Sequence, residues 1–100
     1  MELPLAITRA GTERVVHAGV TKNISSMGVL FTAGAQPDLG GPIEYVITLN
    51  HEGMQSVNIR CIGKVLRSEL SRSAGDAKCP FQIAATLERY EFVREAVMVR

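Results

Sequence analysis

The chain has 100 residues, 46% of them hydrophobic and 21% charged, with a formal net charge of +1. That length supports one core but not two, so residues 1–100 are expected to form a single domain. The composition excludes a disordered chain, and no apolar run approaches the ~18 residues of a membrane span. Near-neutral charge and the lack of any Trp argue against a small barrel that binds single-stranded nucleic acid, which needs a cationic groove and stacking platforms.

Apolar residues alternate with a period of two through most of the chain, the mark of half-buried strands. Leu3, Leu5 and Ile7 define a first strand that ends in a turn at Ala10-Gly11-Thr12-Glu13. A second strand, Arg14 to Val20, leads into a turn from Asn23 to Gly28, and a third runs from Val29 to Thr32. Gly34, Pro37, Asp38, Gly40, Gly41 and Pro42 then crowd into an irregular connection. Ile43, Tyr45, Ile47 and Leu49 share one face of a fourth strand, which a turn at Asn50-His51-Glu52-Gly53 closes.

The fifth strand, Ser56 to Ser68, places Val57, Ile59, Cys61 and Val65 on one face and Arg60, Lys64 and Leu66 on the other. Gly63 in its middle predicts the bend by which a sheet curls over a small core and closes. Glu69 to Lys78 reads as a polar loop, and Phe81, Ile83, Ala85 and Leu87 mark a sixth strand. From Glu88 the period changes: Tyr90, Val93 and Val97 fall at i, i+3 and i+7, with Ala96 beside them. That stripe predicts a C-terminal α-helix of about three turns laid over a barrel end. Glu91 and Arg94 would pair across one of its turns, and Glu88, Glu91 and Glu95 would form its solvated side.

Catalytic chemistry is hard to assemble from this inventory. His17, His51, Cys61 and Cys79 show no metal-ligand spacing, so no metal site is expected. Cys61 lies on the apolar face of a strand and reads as a small buried hydrophobe. Asp38 and Asp76 lie in loops, and neither His occurs in a recognised catalytic setting. The chain is expected to be a non-enzyme without a cofactor. Two cysteines and an N-terminus, Met-Glu-Leu-Pro, without the regions of a secretory signal point to a reduced, cytoplasmic setting.

The most informative stretch is Asn23-Ile24-Ser25-Ser26-Met27-Gly28, an Asn-x-Ser-x-x-Gly turn ahead of Val29-Leu30-Phe31. Such a turn has a purely structural explanation: Asn and Ser side chains bond neighbouring backbone, and Gly relieves crowding or takes a positive φ. Its position and company add to that. It follows a strand-turn-strand unit and is succeeded by a Gly-Gly-Pro loop, Ile-Glu-Tyr-Val-Ile-Thr-Leu, Cys-Ile-Gly-Lys-Val-Leu-Arg and Phe-Gln-Ile-Ala-Ala-Thr-Leu. In this order, over nearly the whole chain, it resembles the PilZ family of cyclic di-GMP receptors. The resemblance implies a mainly β fold, a six-stranded antiparallel barrel followed by a C-terminal α-helix. It also implies that Asn23 and Ser25 hold a guanine and its phosphate while Gly28 lets the ligand approach the backbone.

The family's second motif, an Arg-x-x-x-Arg arm preceding the barrel, has no counterpart here. Only Met1 and Glu2 precede the first strand, and the nearest candidates, Arg9 and Arg14, are separated by four residues and flank a hairpin turn. Arg9 and Arg14 therefore join Asn23, Ser25 and Gly28 as candidate ligand residues, with Lys22, Arg60, Lys64 and Arg67 as cations that folding could bring to the turn. The expected function is a binding module in cyclic di-GMP signalling that binds weakly, or with arginines supplied from elsewhere. The alternative is a degenerate member working through a protein partner or a linked signalling domain, which would use an exposed apolar patch: Val46, Ile62 and Leu66, or a face of the terminal helix.

Overall fold

The computed structural model describes residues 2–49, 57–70 and 80–94. They form β1 Pro4–Ala10, β2 Glu13–Ile24, β3 Gly28–Ala33, β4 Pro42–Leu49, β5 Val57–Leu70, β6 Phe81–Thr86 and β7 Arg89–Arg94. Neighbouring strands are antiparallel in the order β4-β1-β2-β3-β6-β5, and β4 also pairs with β5, which closes six strands into a barrel. β7 is an additional strand that pairs with β5 alone among the described residues.

The period-two pattern builds the wall. Leu5 and Ile7 from β1, Phe31 from β3, Tyr45 and Ile47 from β4, and Ile83 from β6 all point inward and are buried. Each such side chain withdrawn from water contributes roughly 1.5–3 kcal/mol before conformational entropy is subtracted. The Phe31 and Tyr45 rings lie 5.5 Å apart, tilted by 32°, and the Tyr45 hydroxyl donates to the Thr86 carbonyl at 3.0 Å. Thr21 is the buried polar residue of the interior, and its Oγ1 accepts from the Leu3 amide at 2.8 Å.

The expected C-terminal helix is contradicted: the described residues contain no helix, and Arg89–Arg94 is a strand. β6 and β7 follow one line along β5, with Thr86 near Lys64, then Arg89 opposite Ile62 and Arg94 opposite Val57. Having run half the length of β5, the chain keeps its ladder instead of turning away. Tyr90 and Phe92 alternate with Glu91 as a strand requires, and Glu91 pairs with Arg60 across the ladder; the expected Glu91–Arg94 pair rests on a side chain outside the described ones. The aromatic and β-branched run Tyr-x-Phe-Val favours this outcome, a signal that competes with the i, i+3 stripe. Ala96 and Val97 lie outside the described residues, as do the expected turn at Asn50–Gly53 and residues 71–78 of the expected polar loop, whose Glu69 and Leu70 instead end β5.

Gly63 marks where β5 changes partner from β7 to β6. A Cβ built there would stand 1.9 Å from the Thr86 carbonyl oxygen and 2.7 Å from its Oγ1. The glycine is required by close backbone approach at the junction, where Thr86 Oγ1 accepts from the Lys64 amide at 2.8 Å and lies 3.0 Å from a Glu88 carboxylate oxygen. No helix of the described residues is long and apolar enough to cross a membrane.

Candidate functional site

The β2–β3 connection is tighter than the sequence suggests, because Asn23 and Ile24 still belong to β2 and Gly28 already opens β3. Ser25 organises the turn. Its Oγ accepts from the amides of Met27 at 3.2 Å and Gly28 at 3.3 Å, while its own amide donates to the Gly28 carbonyl at 2.9 Å. The Ser25 hydroxyl also lies 3.2 Å from that carbonyl, so local backbone bonds engage it in the way Ser commonly closes turns. Gly28 does not take a positive φ. Its missing Cβ would lie 2.8 Å from the Ala85 carbonyl oxygen, so packing of β3 on β6 already demands glycine there.

Asn23 is placed by a β-bulge. Thr21 stands opposite Phe31 and Asn23 opposite Leu30, leaving Lys22 as the extra residue. Strict alternation from buried Thr21 would send Asn23 inward; the bulge turns it out. The same device recurs in β5. Val65 stands opposite Ala85 and Arg67 opposite Ala84, leaving Leu66 as the extra residue, and Arg67 faces out although Val65, two residues earlier, faces the core. Bulges re-aim side chains in this manner.

Both bulges lead to one row. Asn23 pairs with Leu30, Leu30 with Ala84, and Ala84 with Arg67, across β2, β3, β6 and β5 on the outer wall. Three strand spacings put the two polar ends about 14 Å apart along the backbone. Asn23, Ser25, Gly28, Leu30, Ala84 and Arg67 contribute to a shallow basin of about 220 Å³. Its floor is Leu30 and the low side chain of Ala84; its rims are an amide and hydroxyl on one side and a guanidinium on the other. Such a surface can seat a flat ring and meet a negative charge.

The other candidate cations do not line this basin, although Lys64 lies beside Thr86, the residue opposite Gly28. Arg9 and Arg14 are cross-strand partners at the β1–β2 hairpin. Arg14 is nine positions along β2 from Asn23, about 30 Å of extended chain, so the structure does not bring this pair to the turn. Lys22 is held by Glu2 at 3.0 Å and Arg60 by Glu91. No ion pair among the described residues involves Arg67.

A larger hollow of about 360 Å³ opens at the hairpin end, where Glu13, His17, Gln36 and Asp38 join apolar Ile7 and Val15. Its two carboxylates, with no Lys or Arg lining it, suit it poorly to an anionic ligand. His17 is therefore a strand side chain at a barrel mouth, and no group of three metal-ligating side chains occurs among the described residues. Cys61 is buried, and burial pushes its thiol up to about 11, which keeps it protonated and unreactive. His51 and Cys79 lie outside the described residues.

The fold and basin define a small closed β-barrel with a polar-rimmed platform on its outer wall. No family model, curated protein or solved structure matches the chain.

Proposed function

We propose that this chain is a PilZ-type, non-catalytic binding module of bacterial cyclic di-GMP signalling, working in the cytoplasm and binding the dinucleotide weakly unless further arginines are contributed from elsewhere. The observation that carries the reading is the placement of the Asn-x-Ser-x-x-Gly segment. It is the β2–β3 connection of a closed six-stranded barrel, and Asn23 and Ser25 open together onto one basin with a cation on its far rim. An Asn amide offers donors and an acceptor to a guanine edge, and an apolar floor accepts the base plane.

Weak binding follows from the same geometry. A bidentate Arg–guanine contact is worth about 1–3 kcal/mol, so losing two such contacts costs roughly one to four decades of affinity. Ser25 is also committed to its own turn, which leaves Asn23 as the freer polar group on that rim. Calorimetry with cyclic di-GMP in the millimolar range is expected to give a weak, saturable heat and a rise in melting temperature. Absence of both would remove direct sensing by this chain.

A second reading, a barrel that works through a protein partner, is favoured by a different observation. Leu66, Tyr90 and Phe92 are each about 60% exposed or more, and Ile62 is 37% exposed. Tyr90 and Phe92 stack edge to face on a strand with a single described neighbour. Exposed aromatic side chains on an open strand, here Tyr90 and Phe92 on β7, are characteristic of interaction surfaces. Strictly monomeric sedimentation at high concentration, together with no binding of a hydrophobic dye, would count against this reading.

A further inference from the structure

We propose that Arg67 is the ligand-binding cation of this site, delivered from β5 by the bulge at Leu66; the inference rests on the nucleotide-binding reading above. The position of Arg67 is set by backbone register, not by a flexible arm. Ala84 stands opposite Arg67 on one side and opposite Leu30 on the other, and Leu30 stands opposite Asn23. The chain carries one extra residue in each outer strand of this four-strand patch, and both extra residues have the same effect: the polar side chain that follows points onto the outer wall at a common level.

Chemistry selects the ligand class. The row offers an amide, an apolar floor about two side chains wide, and a guanidinium that no described carboxylate neutralises. A purine nucleotide lying across the strands fits these groups in order. Its ring plane rests on Leu30 and Ala84, its base edge meets the Asn23 amide, and a phosphate, or the second base of a dinucleotide, meets Arg67. Arg presents a planar fork to either group, which Lys cannot match. Ala84 matters as much for what it lacks, since a longer side chain there would occupy the space the ring needs.

The test is a titration of the intact protein with cyclic di-GMP and, separately, with guanosine monophosphate at low fixed ionic strength. It compares wild type with Arg67→Gln, Arg67→Lys, Ala84→Leu and the exposed control Arg89→Gln. Loss of one bidentate contact is expected to weaken binding by about tenfold or more in Arg67→Gln, with Arg67→Lys intermediate. Ala84→Leu is expected to lose binding although every polar group remains, and Arg89→Gln to bind as wild type. Melting temperatures without ligand report that each variant is folded. Wild-type binding that survives Arg67→Gln within about twofold overturns the role of Arg67 and leaves the nucleotide reading standing. No binding of either nucleotide to wild type in the millimolar range overturns both.

Discussion

β3 and β6 pair without interruption from Gly28 opposite Thr86 to Ala33 opposite Phe81, whereas β2 slips register once against β3 and β5 once against β6. The uninterrupted pair supplies the fixed parts of the wall: Phe31 and Ile83 inside, Leu30 and Ala84 outside. The bulged strands supply the chemistry. An inserted residue changes which face the next side chain occupies without breaking the ladder beyond it. Rigid floor and re-aimed rims thus come from two kinds of strand in one sheet, and substitutions can separate their contributions.

The largest effect is expected where β5 changes partners. Gly63→Ala pushes a methyl against the Thr86 carbonyl, a backbone atom 1.9 Å from the ideal Cβ position, and should destabilise the fold by about 3 kcal/mol or more. Denaturant unfolding measures this directly; a loss of less than about 1 kcal/mol would mean that the β6–β7 junction yields easily.

Gly28→Ala tests the uninterrupted pair. Its Cβ would stand 2.8 Å from the Ala85 carbonyl, a milder conflict expected to cost about 1–3 kcal/mol. The loss should appear in the absence of any nucleotide, because glycine serves strand packing there. An unchanged midpoint with reduced ligand affinity would instead assign Gly28 to the ligand alone.

Alkaline titration sharpens the view of the interior with a smaller effect. Burial raises the Cys61 thiol from 9.0 to about 11, and raises the Tyr45 phenol as well, with the neighbouring Cys61 charge as a second cause. The folded state therefore keeps these protons to higher pH than the unfolded chain does. The Cys61 contribution is complete below about pH 9 and is lost as pH rises toward 11, whereas that of Tyr45 begins to be lost only above about pH 10. Denaturant midpoints at about pH 8 and pH 10.5 should fall accordingly, and by less in Cys61→Val. Equal falls in wild type and variant would remove Cys61 as a cause.

Most of the wall was legible in the sequence because burial on one face imposes period two, and residues such as Ile43, Tyr45 and Ile47 obey it strictly. The closed barrel was what the family resemblance of the ordered segments implied, with the bend at Gly63 as the residue-level sign of closure. β7 was not legible: Tyr90 and Val93 satisfy a helical stripe, while Tyr90 and Phe92 satisfy an alternating one, and ladder pairing with β5 decided between them. At the site, Asn23 and Ser25 could be found by motif. Arg67 could not be singled out from Lys22, Arg60 and Lys64, because strict alternation from Val65 points it into the core. An insertion that shifts phase leaves little trace in hydropathy. Only pairing with Ala84 reveals it.

Cross-strand proton contacts measured by NMR on the unliganded protein read out the shared outer row. Backbone contacts are expected between Asn23 and Leu30, Leu30 and Ala84, and Ala84 and Arg67. Contacts that instead set Lys22 opposite Leu30 and Leu66 opposite Ala84 would contradict that row, since Asn23 and Arg67 would then turn toward the barrel interior.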